Sequence, residues 1–301
     1  MKPFDLQVNG YAGVDFCADN LTAEDLHHAC KKLAADGVDS VLATLITDRV
    51  DRLVAKLKHF VQLREADSLV ELVIKGFHIE GPFLNPTKGY IGAHDSDAVV
   101  EANVGDAQRL LSAAGGLTKL VTLAPEHDPG FKTIDFLVKE GVTVSAGHCD
   151  PTLDQLTEAV DHGLTMVTHF GNGCPLQLAR HNNILQRVLH LRDRLWICFI
   201  PDGAHIEFFV LKNYLDLVGV DRAIMVTDAI SAATLGPGRY EISGMSVEVD
   251  ERGVARKPGS KNLAGSTVTM PVIADNLANQ LGFSEQEISK LIDANPRAAV
   301  L

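Results

Sequence analysis

The segment Leu120–His148, LVTLAPEHDPGFKTIDFLVKEGVTVSAGH, contains the pattern that decides the fold. It begins with the apolar run Leu120–Pro125, continues with an amphipathic stretch over Phe131–Gly141, and ends with a second apolar run, Thr143–His148. Short apolar runs without polar alternation are typical of strands that are buried on both faces of a parallel sheet. The segment therefore predicts a strand–helix–strand unit with parallel strands.

The same alternation extends outward over most of the chain. Thr22 and Thr152 are suitable N-caps for two of the intervening helices, and further helical patterns occupy Asp48–Ala66 and Asp97–Gly115. Eight such units predict a TIM (β/α)8 barrel, for which an open doubly wound sheet is the alternative. The eight predicted strands are Phe4–Asn9, Ser40–Ile46, Val73–Gly81, Leu120–Pro125, Thr143–His148, Met166–Phe170, Leu195–Ile200 and Ala223–Thr227.

After the eighth strand the pattern changes. Residues Arg239–Val254 alternate between polar and apolar types around turn residues, which predicts a small β-hairpin excursion. Helical patterns return at Val268–Leu281 and Ser284–Ala294. Because no internal repeat or Pro/Ser-rich linker interrupts the sequence, we expect a single TIM-barrel catalytic domain over residues 1–301.

Composition limits the partners of the protein. Lys and Arg total 27 against 39 Asp and Glu, which gives a formal net charge of −12 and argues against nucleic-acid or membrane-surface binding. The five cysteines include no CxxC pair and indicate reduced thiols. The chain begins without a signal-peptide pattern, and no apolar run approaches the roughly 18 residues of a membrane span. We therefore expect a cytoplasmic, soluble protein.

Polar residues collect at the carboxyl ends of six predicted strands, where TIM barrels carry their active sites. Any one of them could be a hydrogen-bonded core histidine or a helix-capping aspartate. Because polar residues recur at the same end of six strands, a functional site is favoured over six separate structural roles. These residues are Gln7, Asn9, His78, Glu80, His148, His169, Asn172, Asp202, His205 and Asp228.

Glu80, His148 and His169 supply one carboxylate and two imidazoles, which is a donor set of catalytic zinc sites. We expect one divalent metal ion there, with Zn²⁺ favoured and Fe²⁺, Mn²⁺ and Co²⁺ open because they accept the same ligands. Such an ion lowers the pKa of bound water and polarises a carbonyl group. Asp228 is then the expected general base.

The motifs around these positions also identify a family. In chain order they read HIEGPFLN (78–85), GAH (92–94), AGH (146–148), THFGN (168–172), DGAH (202–205), VTDA (226–229) and LAGST (263–267). Together they resemble the N-acetylglucosamine-6-phosphate deacetylases of the amidohydrolase superfamily, over about Asp5 to Arg297. The HxEGPF and LAGS elements are the most specific part of the likeness.

The resemblance implies metal binding by Glu80, His148 and His169, proton transfer by Asp228, and contact of His205 with the sugar or the developing oxyanion. It implies hydrolysis of N-acetylglucosamine 6-phosphate to glucosamine 6-phosphate and acetate. The alternatives are another N-acetylated amino sugar, such as N-acetylgalactosamine 6-phosphate, and a non-catalytic barrel that binds a sugar phosphate. The implied substrate-binding residues are Ala93, His94, Asn172, Gly173, Arg180, Asp202, His205, Leu263, Ala264 and Gly265.

Arg180 stands eight residues after Asn172, at the spacing of a family arginine that reaches the substrate phosphate across a dimer interface. The resemblance therefore implies a homodimer in which Arg180 extends into the neighbouring active site, since guanidinium groups pair bidentately with phosphate. A solvated loop charge at Arg180 and a contact from His181 are the alternatives.

Three features depart from the family pattern. Gln7-Val8-Asn9 stands where many amidohydrolases carry His-x-His for a second metal ion, and amides are poor zinc ligands, so we expect a single ion. The segments that form a small β-sandwich in the family are missing at both ends, and we expect a natural barrel-only form whose apolar surface a subunit partner covers. The loop at 180–184 reads RHNNI in place of a stretch resembling Arg-Glu-Pro-Gly, and Asn172 is followed by GCP, so the chemistry is better supported than the substrate.

Overall fold

The computed structural model describes residues 1–242, 244–259 and 262–300. Ser243 in the predicted hairpin and Leu301 at the end of the predicted domain lie outside these ranges. Eight parallel strands form one sheet and follow one another in chain order, as in a TIM barrel. They are β1 Phe4–Val8, β2 Ser40–Ile46, β3 Ile74–Glu80, β4 Thr118–Leu123, β5 Thr143–Ala146, β6 Met166–Val167, β7 Trp196–Phe199 and β8 Ala223–Met225.

The barrel is nearly closed between its first and last strands. Val8 at the end of β1 forms a parallel bridge with Ala229 just after β8, and the Asn9 amide donates to the Ala229 carbonyl at 2.7 Å. Below this bridge the Thr227 hydroxyl donates to the Asp5 carboxylate at 2.6 Å. The (β/α)8 prediction is confirmed, and all eight predicted strands are present.

Helices connect the strands largely where the sequence predicts them. Thr22 and Thr152 each form a capping box at the start of a helix. The helix predicted from Asp97 begins only at Val104, because the Asn103 side chain caps it by accepting from the Asp106 amide at 2.9 Å. The helices are α1 Ala23–Ala35, α2 Val50–Glu65, α3 Ser68–Val73, α4 Val104–Ala113, α5 Lys132–Lys139, α6 Leu153–Asp161, α7 Ile184–His190, α8 Phe208–Val218, α9 Met270–Asn279, α10 Glu285–Ser289 and α11 Asn295–Val300.

The predicted excursion after β8 is a small antiparallel sheet over the mouth of the barrel. Strands β9 (Gly238–Ile242) and β10 (Met245–Val249) form the hairpin, and β11 (Ala255–Arg256) pairs with β10. Its inner side chains join an apolar cluster of their own with Ile230 and Ala264. The sheet thereby forms an outer wall above the strand ends.

The barrel interior contains an apolar layer near its base and a polar layer higher up. The apolar layer includes Leu6, Leu42 and Ile224 and packs against the C-terminal residues Ala299 and Val300. Above it, hydroxyl groups and one imidazole form a continuous hydrogen-bonded set through Thr44, His78, Thr122, Thr168 and Ser145. In the described parts of the chain no helix combines the length and apolarity that crossing a bilayer requires.

Candidate active site and metal centre

Three site residues follow barrel strands in an unusual backbone conformation. His148, His169 and Asp228 have φ values of 51°, 33° and 51°, in the left-handed region that non-glycine residues seldom adopt. Neighbouring loops fix these turns: the Asn85 amide donates to the His148 carbonyl, and the Ser266 amide donates to the Asp228 carbonyl. Strained backbone that tertiary contacts maintain is concentrated at functional sites.

The three predicted metal ligands meet in one buried cluster. The Nε2 atom of His169 lies 2.9 Å from Oε1 of Glu80 and 3.0 Å from Nε2 of His148, and the remaining pair, His148 Nε2 and Glu80 Oε1, is 3.4 Å apart. Ligand atoms around a tetrahedral zinc ion are about 3.3 Å apart, given metal–ligand bonds of roughly 2.0–2.1 Å. The donor types and their spacing therefore fit a divalent ion.

Electrostatics and hydrogen bonding prepare these ligands for a cation. Burial alone raises the pKa of Glu80, but the adjacent imidazoles of His148 and His169 outweigh it and hold the pKa well below its usual range. The Nδ1 atom of His148 lies 2.8 Å from the Tyr90 carbonyl oxygen, so it carries the proton and leaves Nε2 unprotonated toward the cluster. The Glu80 carboxylate and a neutral His148 are the ligand forms that bind metal.

Asp228 is held beside this cluster by two amides. The Nδ2 atom of Asn9 donates to Oδ1 of Asp228 at 2.6 Å, and Nε2 of Gln7 donates to the same oxygen at 3.1 Å and to Oε2 of Glu80 at 3.2 Å. Burial, followed by repulsion from Glu80, raises the pKa of Asp228 to about 6. Asp228 is thus a fixed carboxylate whose pKa is close to neutrality, which suits a general base.

His205 reaches the same cavity from the loop after β7. Its Nδ1 atom lies 2.6 Å from Oδ2 of Asp202, while Oδ1 of Asp202 accepts the backbone amides of Ala204 and His205 at 2.8 Å each. These bonds lower the pKa of Asp202 against the opposing effect of its burial. Asp202 therefore fixes the ring of His205 through Nδ1 and leaves Nε2 available to a substrate.

The loops on either side of His148 press against its ring. A Cβ atom on Gly92 would lie 2.8 Å from Cε1 of His148, and one on Gly173 would lie 3.0 Å from Nδ1. Both glycines also have positive φ, 61° and 62°, so a side chain at either position would strain the backbone. Next to Gly92, His94 places Nε2 at 3.2 Å from Nε2 of His148 and 3.9 Å from Oε1 of Glu80. Burial, followed by the proximity of the His148 ring, lowers the pKa of His94 to about 3, so its imidazole is neutral.

A cavity of about 340 Å³ opens above the cluster and contains most of the predicted site residues. Two predicted residues act from below it: Gln7 through the hydrogen bonds given above, and His78 from the polar layer, where Nε2 lies 2.7 Å from the Thr122 hydroxyl. Asp202 acts through His205, and Arg180 is exposed on the loop after β6, outside the cavity of its own chain. The predicted residues on the cavity wall are Asn9, Glu80, Ala93, His94, His148, His169, Asn172, Gly173, His205, Asp228, Leu263, Ala264 and Gly265.

The outer wall of this cavity was not predicted from the sequence. The small sheet contributes Ile242, Met245, Val247 and Arg256. The loop after β6 adds a short segment at 174–176. The alternating pattern predicted the hairpin, but nothing local in the sequence indicates which face of the hairpin meets the barrel.

Comparison with known proteins gives the family. No protein-family model matches the chain. The N-acetylglucosamine-6-phosphate deacetylase of Lysinibacillus sphaericus is 30% identical over 291 residues, which cover 97% of this chain and 73% of that protein. The N-acetylgalactosamine-6-phosphate deacetylase of Escherichia coli is 28% identical over 292 residues, which cover 97% of this chain and 75% of that protein.

A solved structure gives the same result. A mutant of N-acetyl-D-glucosamine-6-phosphate deacetylase from Mycobacterium smegmatis, in complex with N-acetyl-D-glucosamine-6-phosphate, superposes with a TM-score of 0.90 at 27% sequence identity. The match covers 99% of this chain and 77% of the solved chain. The resemblance drawn from the motifs is confirmed: the chain belongs to the N-acetylglucosamine-6-phosphate deacetylase family.

Proposed function

We propose that this chain is a metal-dependent amide hydrolase that converts N-acetylglucosamine 6-phosphate to glucosamine 6-phosphate and acetate. The observation that carries the proposal is the meeting of Glu80, His148, His169 and Asp228 at one cavity. Pure binding of a sugar phosphate requires neither a buried metal-ligand cluster nor a base beside it. Family membership supports the same reaction.

Glu80, His148 and His169 would hold one divalent ion, and we propose zinc. Gln7 and Asn9 support a single ion, because their amide nitrogens donate to Glu80 and Asp228 at the positions where a second metal would need ligands. When bound, the ion supplies Lewis acidity that lowers the pKa of water and polarises the acetyl carbonyl.

Asp228 carries the proton in this mechanism. Its Oδ1 atom is occupied by Gln7 and Asn9, so Oδ2 is the oxygen that takes a proton from water as the water oxygen attacks the carbonyl carbon. Asp228 then delivers this proton to the amide nitrogen as the carbon–nitrogen bond breaks and acetate leaves. A pKa of about 6 makes Asp228 a carboxylate at neutral pH yet basic enough to accept the proton.

His205 stabilises the charge that develops on the carbonyl oxygen. The Asp202 carboxylate lies 2.6 Å from Nδ1 and fixes the ring, so that Nε2 is directed toward the carbonyl oxygen in the cavity. A preorganised donor of this kind lowers the barrier because it needs no rearrangement during the reaction.

Recognition of the sugar phosphate is assigned to Ala93, His94, Asn172, Gly173 and the segment 263–265, which lie on the cavity wall. We propose a homodimer in which Arg180 of one chain reaches the phosphate bound by the other, because Arg180 is exposed outside the cavity of its own chain. We also propose a single catalytic domain over residues 1–301. A cytoplasmic location is supported by the five cysteines, whose odd number and lack of a CxxC pair are typical of reduced thiols.

The substrate is tested by acetate release from N-acetylglucosamine 6-phosphate and N-acetylgalactosamine 6-phosphate under identical conditions. We expect the higher kcat/KM for the glucosamine derivative. A higher value for the galactosamine derivative would favour the second candidate, which the Escherichia coli relative supports. Absence of release from both sugars would contradict the proposed reaction.

A further inference from the structure

The cavity wall carries a cation that sequence analysis did not assign to the site. Arg256 lies in β11 and faces the cavity that also contains Glu80 and Asp228. Among the cavity-lining residues that the structure describes, it is the only arginine or lysine. An anionic substrate in a site with two carboxylates, on a chain with a net charge of −12, needs a cation at close range.

The position of Arg256 is tied to segments that belong to the predicted substrate pocket. Its backbone forms an antiparallel bridge with Leu263, and the Ala264 amide donates to the Ala255 carbonyl at 3.1 Å. The neighbouring Lys257 contacts the Ala93 carbonyl through Nζ at 3.5 Å. Arg256 therefore lies at the edge of the cavity where these two sugar-binding segments approach each other.

The guanidinium of Arg256 is weakly engaged within the chain. Its Nη1 atom lies 3.4 Å from Oδ2 of Asp250, whereas charge-assisted hydrogen bonds are about 2.7–2.9 Å long. The two side chains are 35% and 40% exposed, and Asp250 also faces Arg252 at 3.8 Å. Solvent-exposed pairs of this kind contribute little to stability, so Arg256 can exchange Asp250 for a stronger anion.

We propose that Arg256 binds the phosphate group of the substrate from within the same chain and thereby sets the preference for phosphorylated amino sugars. This inference rests on the proposed deacetylase function. A phosphate dianion presents two oxygens that match the planar fork of Arg256. Among the described residues, Asp250 contacts the guanidinium only through Nη1, at 3.4 Å. The site then has a cation of its own in addition to the one that Arg180 of a partner subunit would bring.

The test compares KM for N-acetylglucosamine 6-phosphate and for unphosphorylated N-acetylglucosamine in Arg256→Ala and Arg256→Gln variants. We expect KM for the phosphorylated sugar to rise roughly 10- to 100-fold, the range for loss of a hydrogen bond to a charged group. KM for the plain sugar should stay within about twofold, since it lacks the anion. Arg256→Lys should recover part of the loss.

Arg252→Ala is the matched control, because Arg252 lies beside the same Asp250 but outside the cavity wall. It should leave both KM values unchanged. Equal changes in KM for the two sugars, or no change for the phosphorylated one, in variants with unaltered thermal unfolding would overturn the role of Arg256.

Equilibrium binding of glucosamine 6-phosphate and glucosamine, measured by calorimetry, separates this inference from the reaction itself. If wild-type protein releases no acetate but binds glucosamine 6-phosphate more tightly than the Arg256→Ala variant does, the reaction is wrong and Arg256 is supported. If wild type and variant bind the phosphorylated sugar equally, or neither binds it, Arg256 is not a phosphate ligand.

Discussion

The floor and the outer wall of the cavity are built in different ways. The floor consists of Glu80, His148 and His169 at the ends of barrel strands, all buried and linked by contacts of 2.9–3.4 Å. The wall consists of the loop after β6 and the small sheet β9–β11, where Leu176 is 84% exposed and Arg256 is loosely paired. In the proposed mechanism the barrel fixes the reacting groups, whereas substrate selection is assigned to segments that have fewer internal constraints.

Because the floor contains the proposed metal ligands, we expect substitutions there to abolish acetate release. His169→Ala should reduce bound metal from one ion per chain to nearly none and lower acetate release to background, because it removes one of three ligands. Metal content by elemental analysis and acetate release check this. His162→Ala, at a surface histidine paired with Asp135, should change neither. Full metal content in the His169 variant would contradict the ligand assignment.

Removing the base should stop turnover without removing the metal. Asp228→Asn should lower kcat by about 10²- to 10⁴-fold, the usual contribution of general acid–base catalysis. Metal content should stay near one ion per chain, since Asp228 is not among the three proposed ligands. Asp250→Asn, in the turn between β10 and β11, is the control and should retain its kcat. Near-normal kcat in the Asp228 variant would assign the proton transfer to another group.

Asp5, below the floor, should make the protein less stable as the pH rises. Burial raises its pKa from 3.8 to about 7, so between these values the native state holds a proton that the unfolded chain has lost. This contribution to the free energy of unfolding is complete below pH 4 and is lost as the pH rises toward 7, by up to about 4 kcal/mol.

Urea unfolding of wild type and Asp5→Asn at pH 5 and pH 8 measures this effect. We expect a smaller decrease in the free energy of unfolding for the variant than for wild type. Asp193→Asn, at an exposed aspartate, should behave like wild type. An equal decrease in wild type and Asp5→Asn would show that Asp5 does not titrate in this range.

Changes in the wall should affect substrate selection by smaller factors. Arg180→Ala should raise KM for the phosphorylated sugar about tenfold and leave the plain sugar unchanged, because a single charged contact is lost. Mixing Arg180→Ala with Asp228→Asn subunits should restore a low-KM site if Arg180 acts across the dimer. A mixture that keeps the high KM, in a protein that sedimentation shows to exchange subunits, would contradict action across subunits.

The floor residues could be predicted from the sequence because each is marked by the few residues that precede it. Each proposed ligand lies at the end of an apolar run. Parallel strands in chain order bring their carboxyl ends to one face of the barrel, regardless of the length and sequence of the loops. At the end of β3, for example, Glu80 pairs with Thr122, which is near the end of β4, so the two strands finish at the same level. The left-handed backbone at His148 and His169 was not predictable, because contacts with distant loops maintain it.

The wall could not be predicted because its contacts join residues that are distant in sequence. The bridge between Arg256 and Leu263 places Arg256 at the cavity. No residue pattern in the sequence predicts this pairing. His78 shares a motif and a strand face with Glu80, but it lies in the polar layer below because it precedes Glu80 by two residues, roughly 6.6 Å along the strand. Helix α8 was missed because Glu207 forms no side-chain cap and the segment is largely apolar.

The most direct test of the account is acetate release from N-acetylglucosamine 6-phosphate before chelation, after removal of metal, and after return of one equivalent of zinc. We predict acetate release by the metal-loaded protein, loss of release after chelation, and recovery with zinc. Unchanged release from protein shown to be metal-free would contradict the role of Glu80, His148 and His169. Absence of release from protein that holds one ion per chain would contradict the substrate.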